Sequence, residues 1–271
     1  MIRPEEALPG GQVLKLRSAR DILGRQIYFT AAYWVDGLLI DSGCAHTAEQ
    51  LLPALQDRQV ERLVNTHSHE DHIGGNAIVQ AAFDCPIQAH PRALPVLRDP
   101  RRQPLQPYRR LFWGWPLPCQ AEPLGERVET DRYSFDVIPT PGHSPDHVCF
   151  FEPEQGWLFS GDAYIGGEDR ALRQGYDIQG IIASLKTLAR LPVRVIFSGS
   201  GSVRQMGTEP LQAKIDYLEE LGRRIRALHE RGLSTRQIRR HLFGREPALA
   251  YVTLGHFSGL HLVRSYLAGL S

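Results

Sequence analysis

Long hydrophobic runs are missing from this chain. No stretch of about 18 apolar residues occurs in its 271 positions, which argues against a membrane-spanning helix. Charge of one sign is missing too. Its 31 basic and 30 acidic side chains leave a net charge of +1, so no global field recruits nucleic acid or an acidic membrane. The first residues, Met1-Ile2-Arg3-Pro4-Glu5-Glu6, lack the basic-then-apolar pattern of a secretory signal. Cysteine is sparse: Cys44, Cys85, Cys119 and Cys149 show no Cys-x-x-Cys spacing, and buried free thiols account for them better than disulfides or metal ligands. No Gly-x-Ser-x-Gly elbow occurs, which argues against a serine nucleophile. These absences lead us to expect a soluble cytoplasmic protein with one large domain, or one domain with an extension.

Histidine is concentrated instead. Residues 67 to 72 read His67-Ser68-His69-Glu70-Asp71-His72, directly after the apolar pair Leu63-Val64 and before Gly74-Gly75. Three imidazoles and an aspartate in six positions at the end of a strand can divide between two ions, since neutral imidazole suits zinc or iron and carboxylate adds a harder donor. A solvated polar turn is the plain alternative for one or two histidines, and it fits this cluster poorly. A further His143 follows a Pro-Gly turn in Thr140-Pro141-Gly142-His143-Ser144-Pro145-Asp146-His147. The apolar run Trp157-Leu158-Phe159 ends at Ser160-Gly161-Asp162, presenting a carboxylate at a sheet edge.

Together these motifs resemble the metallo-β-lactamase superfamily, whose signature is His-x-His-x-Asp-His, then Gly-His, then Asp, then a last His. The similarity runs from Val13 to about Val203, and Asp41-Ser42-Gly43 resembles the family's Asp-x-Gly turn. It implies an αββα four-layer sandwich, where composition and periodicity alone support only a mixed α/β protein. It also implies that His67, His69 and His143 hold one metal and that Asp71, His72 and a bridging Asp162 hold a second. The chain departs from the family at the last ligand. Ser200 of Ser198-Gly199-Ser200-Gly201 stands where the His is expected, and a neutral hydroxyl is a far weaker ligand than imidazole. One or two divalent ions are therefore expected, zinc first and iron or manganese as alternatives.

The expected strands lie at residues 13–16, 26–35, 38–40 and 62–65, with helices over 48–55 and 73–82. A second group covers 132–138, 147–151, 157–160 and 193–197, with a helix carrying Ile178, Ile181, Ile182, Leu185 and Leu188 at helical spacing. Residues 1–205 form the expected catalytic domain. Within it the segment 98–118 combines prolines, arginines and aromatics, which precludes a long helix and suits a lid. Its Arg109 and Trp113 are expected at the substrate, with packing against the domain as the alternative. Residues 206–271 form a helical extension packed on that domain. It has an apolar stripe at Leu211, Ile215, Leu218, Ile225 and Leu228, with Lys214 on another face, a capping box at Ser234/Gln237, and a last helix after His256.

The chemistry implied is hydrolysis of a small ester, thioester or lactone by metal-bound hydroxide, with Asp71 orienting the nucleophile. The Thr-Pro-Gly-His-Ser-Pro-Asp-His stretch is similar to the hydroxyacylglutathione-hydrolase-like branch. Tyr164, Ser200 and His256 join Arg109 and Trp113 as substrate-binding candidates. A small molecule is the expected partner, not nucleic acid or membrane, and a homodimer stays open. The alternatives are a phosphodiesterase, which uses the same two-metal clamp, and a ligand-binding sensor whose second metal site has decayed at Ser200.

Overall fold

Period-two alternation decides which side of a strand is buried, and it is visible in a computed structural model that describes residues 2–8, 11–22 and 25–268. In the strand Leu38–Ile40, Leu38 and Ile40 enter one core cluster while Leu39 enters another. The chain clusters into two compact units. The first is Met1–Pro139, Pro145–Ile165 and Pro192–Gly207; the second is Thr140–Ser144, Gly166–Leu191 and Thr208–Ser271.

In chain order the strands are β1 (Ile2–Glu6), β2 (Leu14–Ile22), β3 (Arg25–Val35), β4 (Leu38–Ile40), β5 (Arg62–Val64), β6 (Ile87–Ala89), β7 (Glu122–Pro123), β8 (Arg127–Glu129), β9 (Ser134–Pro139), β10 (Val148–Glu152) and β11 (Trp157–Gly161). They continue as β12 (Leu172–Arg173), β13 (Val195–Ser198), β14 (Val203–Arg204) and β15 (Phe257–Ser258). The helices are α1 (Leu51–Ala54), α2 (Asn76–Phe83), α3 (Leu94–Arg98), α4 (Pro107–Trp113), α5 (Ile178–Leu188), α6 (Glu209–Glu230), α7 (Thr235–Phe243), α8 (Ala248–Val252) and α9 (Gly259–Leu267).

Within the first unit, β1 to β7 form one sheet in sequence order, antiparallel up to β4 and parallel from β4 onward. The second sheet runs β14-β13-β11-β10-β9-β8, with β11 and β13 as its parallel pair. Tyr33, Val35, Leu38 and Ile40 from the first sheet meet Phe135, Phe150, Phe159 and Phe197 from the second. The Tyr33 ring lies 5.5 Å from both Phe159 and Phe197, which stack on each other at 4.6 Å. Each such buried aromatic stabilises the unit by roughly 1.5–3 kcal/mol. On its other face the first sheet packs Leu39 and Leu63 with Leu51 of α1 and Val79 of α2.

The parallel pairs matter most for the site. Strands β4 and β5 run together and end at Ile40 and Val64, delivering Asp41 and the His67–His72 loop to one edge. Strands β11 and β13 likewise deliver Asp162 and Gly199, and Gly199 N–H donates to Gly161 O at 2.8 Å.

The second unit holds the β12–β15 ribbon and helices α5 to α9. The α6 stripe is buried as its spacing predicts, and the Ser234/Gln237 capping box caps α7. Lys214 corrects the expectation. It is buried, donating to Gly167 O at 2.7 Å and pairing with Asp169 at 2.8 Å, because an ion-paired ammonium can enter an otherwise apolar face. The boundary also differs from 205/206, since Gly166–Leu191 groups with the C-terminal helices. All four cysteines are buried.

Candidate metal centre

Asp41 organises the edge. It is buried and holds a left-handed backbone conformation, φ 61°, that aspartate adopts more readily than most residues. Its Oδ1 accepts from the Thr66 N–H at 2.8 Å, while Oδ2 accepts from the Thr66 hydroxyl at 2.8 Å and from His72 Nδ1 at 2.7 Å. A carboxylate can only accept, so His72 carries a proton on Nδ1 and its Nε2 points away from Asp41.

That Nε2 is buried with no hydrogen-bond partner among the described residues. Asp162 Oδ1 stands 3.5 Å from it and Asp71 Oδ2 4.0 Å. His67, His72 and Asp162 each offer one ligand atom, all within 4.8 Å of one another. A buried imidazole nitrogen facing two carboxylates draws positive charge, and a divalent ion can take the place of a proton there, so the donor set fits such an ion.

The His67 ring is set by the same device. The Thr66 hydroxyl gives its proton to Asp41, so its lone pair receives the His67 Nδ1 proton at 3.0 Å. His67 Nε2 then faces His69 Nδ1 at 2.9 Å, so two imidazole nitrogens converge. Asp146 accepts from the Ser68 N–H at 2.9 Å and ties this loop down. His147, which follows one residue later, is buried at 4.8 Å from the His67 ring, and its Nε2 accepts from the Asp162 N–H at 3.1 Å. Burial pushes the His147 imidazole down to about 4, which keeps it neutral in that acceptor role. The sequence displayed His147 inside its motif without revealing this function.

Electrostatics set the two remaining groups apart. Burial pushes the Asp71 carboxyl up to about 7, with Glu70 and Asp162 adding to the rise and His72 opposing it. Burial pulls His72 down, but the carboxylates Asp41, Asp162 and Asp71 outweigh it and hold its proton affinity well above the ordinary range.

The serine loop closes the edge. A side chain at Gly199 would place its Cβ 2.4 Å from Asp162 Oδ1 and 2.8 Å from His72 Cε1, so only glycine fits there. Ser200 next to it is exposed, and its hydroxyl bonds Ser198 Oγ at 2.9 Å. In the second unit, His143 is buried, with the Tyr176 ring tilted against it at 4.5 Å and the Tyr176 hydroxyl 3.2 Å from Nε2.

The other substrate-binding candidates stand in different surroundings. Arg109 is buried and forms a two-pronged ion pair with Glu70 of the ligand loop, so its charge is already satisfied. Trp113 is half-buried beside Tyr108 and Phe112, at 6.2 and 6.1 Å, in the aromatic packing of α4. Tyr164 is buried two residues beyond Asp162 rather than displayed to solvent. His256 sits in the second unit, half-buried, with its ring against Phe257 and its carbonyl accepting from Gln174 N–H.

Comparison with known proteins agrees with this architecture. The profile described as "Metallo-beta-lactamase superfamily" matches residues 28–200. A hydroxyacylglutathione hydrolase of Bdellovibrio bacteriovorus is 32% identical over 131 residues, 48% of this chain and 45% of that protein. An atrochrysone carboxyl ACP thioesterase of Aspergillus fumigatus is 27% identical over 231 residues, 80% of this chain and 66% of that protein. The chain thus covers less than two thirds of the length of each of these two relatives. A metallo-beta-lactamase from Pontibacter korlensis superposes with a TM-score of 0.64 at 19% identity, over 81% of this chain and 99% of that one. TTHA1623, solved in a di-iron-bound form, superposes with a TM-score of 0.53 at 30% identity, over 70% of this chain and 93% of that one. The two facing sheets with their helices are the αββα sandwich of this fold, and the chain belongs to the metallo-beta-lactamase superfamily.

Proposed function

We propose that the chain is a metal-dependent hydrolase of a small thioester, ester or lactone. His67, His69 and His143 would hold one divalent ion, on the strength of the family motif, and Asp71, His72 and Asp162 a second. The observation that carries this is the His72 imidazole, anchored through Nδ1 by Asp41 so that a buried Nε2 faces Asp162 and Asp71. When bound, a divalent ion supplies a Lewis acid that acidifies a water and polarises a carbonyl.

The protein groups do the rest. Asp71, beside His72 Nε2, is placed to orient the nucleophile or to share in holding the ion. Asp162, whose backbone N–H donates to His147, holds its carboxylate 3.5 Å from His72 Nε2. Imidazole and carboxylate donors accept zinc, iron or manganese, and zinc is our first choice. Acyl substrates are favoured over phosphodiesters because one relative is named a thioesterase and another a hydroxyacylglutathione hydrolase.

The test is elemental analysis of protein purified without added metal, followed by turnover on an S-acyl glutathione, a lactone and a phosphodiester. At least one equivalent of transition metal with acyl hydrolysis is expected. Less than about half an equivalent removes the metal centre, and tight metal binding with no turnover of any substrate converts the chain to a sensor.

A further inference from the structure

Glu70 occupies a variable position of the His-x-His-x-Asp-His motif, between His69 and Asp71, and nothing in the chemistry proposed above uses it. Its carboxylate is buried at 1% exposure, and its partner, the Arg109 guanidinium, is buried at 2%. Arg109 comes from α4, 39 residues away, and donates through Nε to one Glu70 oxygen and through Nη2 to the other. Two parallel charge-assisted bonds fix both the distance and the plane of the carboxylate.

The arginine is itself held firmly. Pro107 sets the first turn of α4, the Arg109 N–H donates to Gln106 O at 2.9 Å, and the neighbouring Tyr108 and Phe112 are themselves buried. His46 Nε2 meets Arg110 O at 3.0 Å, adding a second tie between α4 and the domain. A surface ion pair would hold nothing in place, because long exposed side chains wander and water competes. A fully buried, bidentate pair has no such freedom.

We propose that Arg109 is a positioning residue for the metal ligands: it clamps Glu70 and thereby fixes His69 and Asp71 on either side. This rests on the reading of the His67–His72 loop as a metal site. Segment 98–118 then acts through its buried guanidinium on the ligand loop rather than by holding substrate with it. Because coupling is reciprocal, whatever α4 does for the metal site, a bound metal does for α4.

Cobalt(II) serves as the probe, since its visible absorption reports ligand geometry independently of activity. The parent protein, stripped and reloaded, is compared with Arg109→Lys and with the double variant Glu70→Leu/Arg109→Met, which removes both charges and leaves no buried polar orphan. The double variant should bind cobalt at least tenfold more weakly, with an altered spectrum, and Arg109→Lys should recover part of the affinity. A double variant with parental affinity and spectrum overturns the clamp, even if its melting temperature falls. Should that variant not fold, the parent decides: amide exchange across residues 107–113 should slow when cobalt binds, and unchanged exchange overturns the proposal. A parent that binds no cobalt at all overturns the metal reading instead, so the two failures are distinct.

Discussion

Two loops of the first unit flank the candidate centre, and they are built from opposite chemistry. The His67–His72 loop carries imidazoles and carboxylates, and neighbours fix its atoms: Asp41 sets the His72 tautomer, Thr66 orients His67, Asp146 holds Ser68 and Arg109 holds Glu70. The Ser198–Ser202 loop carries hydroxyls that bond one another, with Ser198 Oγ at 2.9 Å from both Ser200 Oγ and Ser202 Oγ. One loop spends its hydrogen bonds on aiming ligand atoms, whereas the other spends them on its own shape. Only Gly199 of the serine loop enters the site, and it does so by having no side chain. The contrast assigns metal affinity to the first loop and space to the second.

The strongest way to break that contrast is Asp71→Asn, which keeps the shape and removes the negative charge. If the first loop carries the chemistry, turnover falls by on the order of 10²-fold or more, as for groups that act in the transition state. Near-parental turnover at full metal content would sink the assignment. Next in size is Asp41→Asn. Asparagine tolerates the left-handed backbone, but an amide nitrogen facing His72 Nδ1 must donate, so the imidazole proton moves to Nε2 and blocks the lone pair. Affinity for the more weakly held ion should fall about 10- to 100-fold, the range found for groups that orient metal ligands. Stepwise chelation monitored by absorbance measures it, and unchanged release kills the tautomer argument.

These two residues also show how far the sequence could be read. The ligand types announced themselves because three histidines and an aspartate in six positions have little other use, and the strands around them follow from β-branched and aromatic runs. Asp41 could be seen as part of a turn, but its grip on His72 needs β4 and β5 side by side. Arg109 was legible only as one arginine among five in a basic segment, since a pair separated by 39 residues leaves no periodic trace. Lys214 misled for the same reason, its partner Asp169 lying 45 positions away. The strands β6 and β7, three and two residues long, are too short to stand out in the sequence, and α4 is hidden by the prolines before it.

A smaller effect follows from protonation. Asp71 in the metal-free protein binds its proton more tightly than an unfolded aspartate, so its contribution to stability is present at acid pH and is lost as pH rises through about 7. His72, held well above 6.5, also loses its contribution as pH rises through its own elevated value. His147 has the opposite sign, contributing stability that appears as pH climbs from about 4 to 6.5, and it adds nothing further beyond that. Above about pH 6.5 the chelated protein should therefore melt at falling temperature as pH rises. The metal-loaded protein should show the reverse trend, because ligands that must shed protons bind an ion better at higher pH, by up to roughly tenfold per unit for each proton displaced. Parallel trends for the two forms would mean that these groups do not meet the ion.

The smallest expected effect sharpens the comparison from the other side. Ser200→His places an imidazole in the hydroxyl loop, one residue from the glycine that touches Asp162 and His72. Ser200 is exposed and its hydroxyl bonds another serine, so the exchange removes no long-range partner among the described residues. If the second position holds its ion with only three protein donors, a fourth nitrogen ligand should tighten it by about tenfold or less, since some of the gain is offset by ordering an exposed side chain. In the parent the two ions should leave a chelator in two steps, and in the variant those steps should draw together. Simultaneous loss in both proteins would show that the parent already has a full ligand set and that another residue has taken the place of the missing histidine. The serine loop would then be more than a spacer, and the division of labour between the two loops would fail.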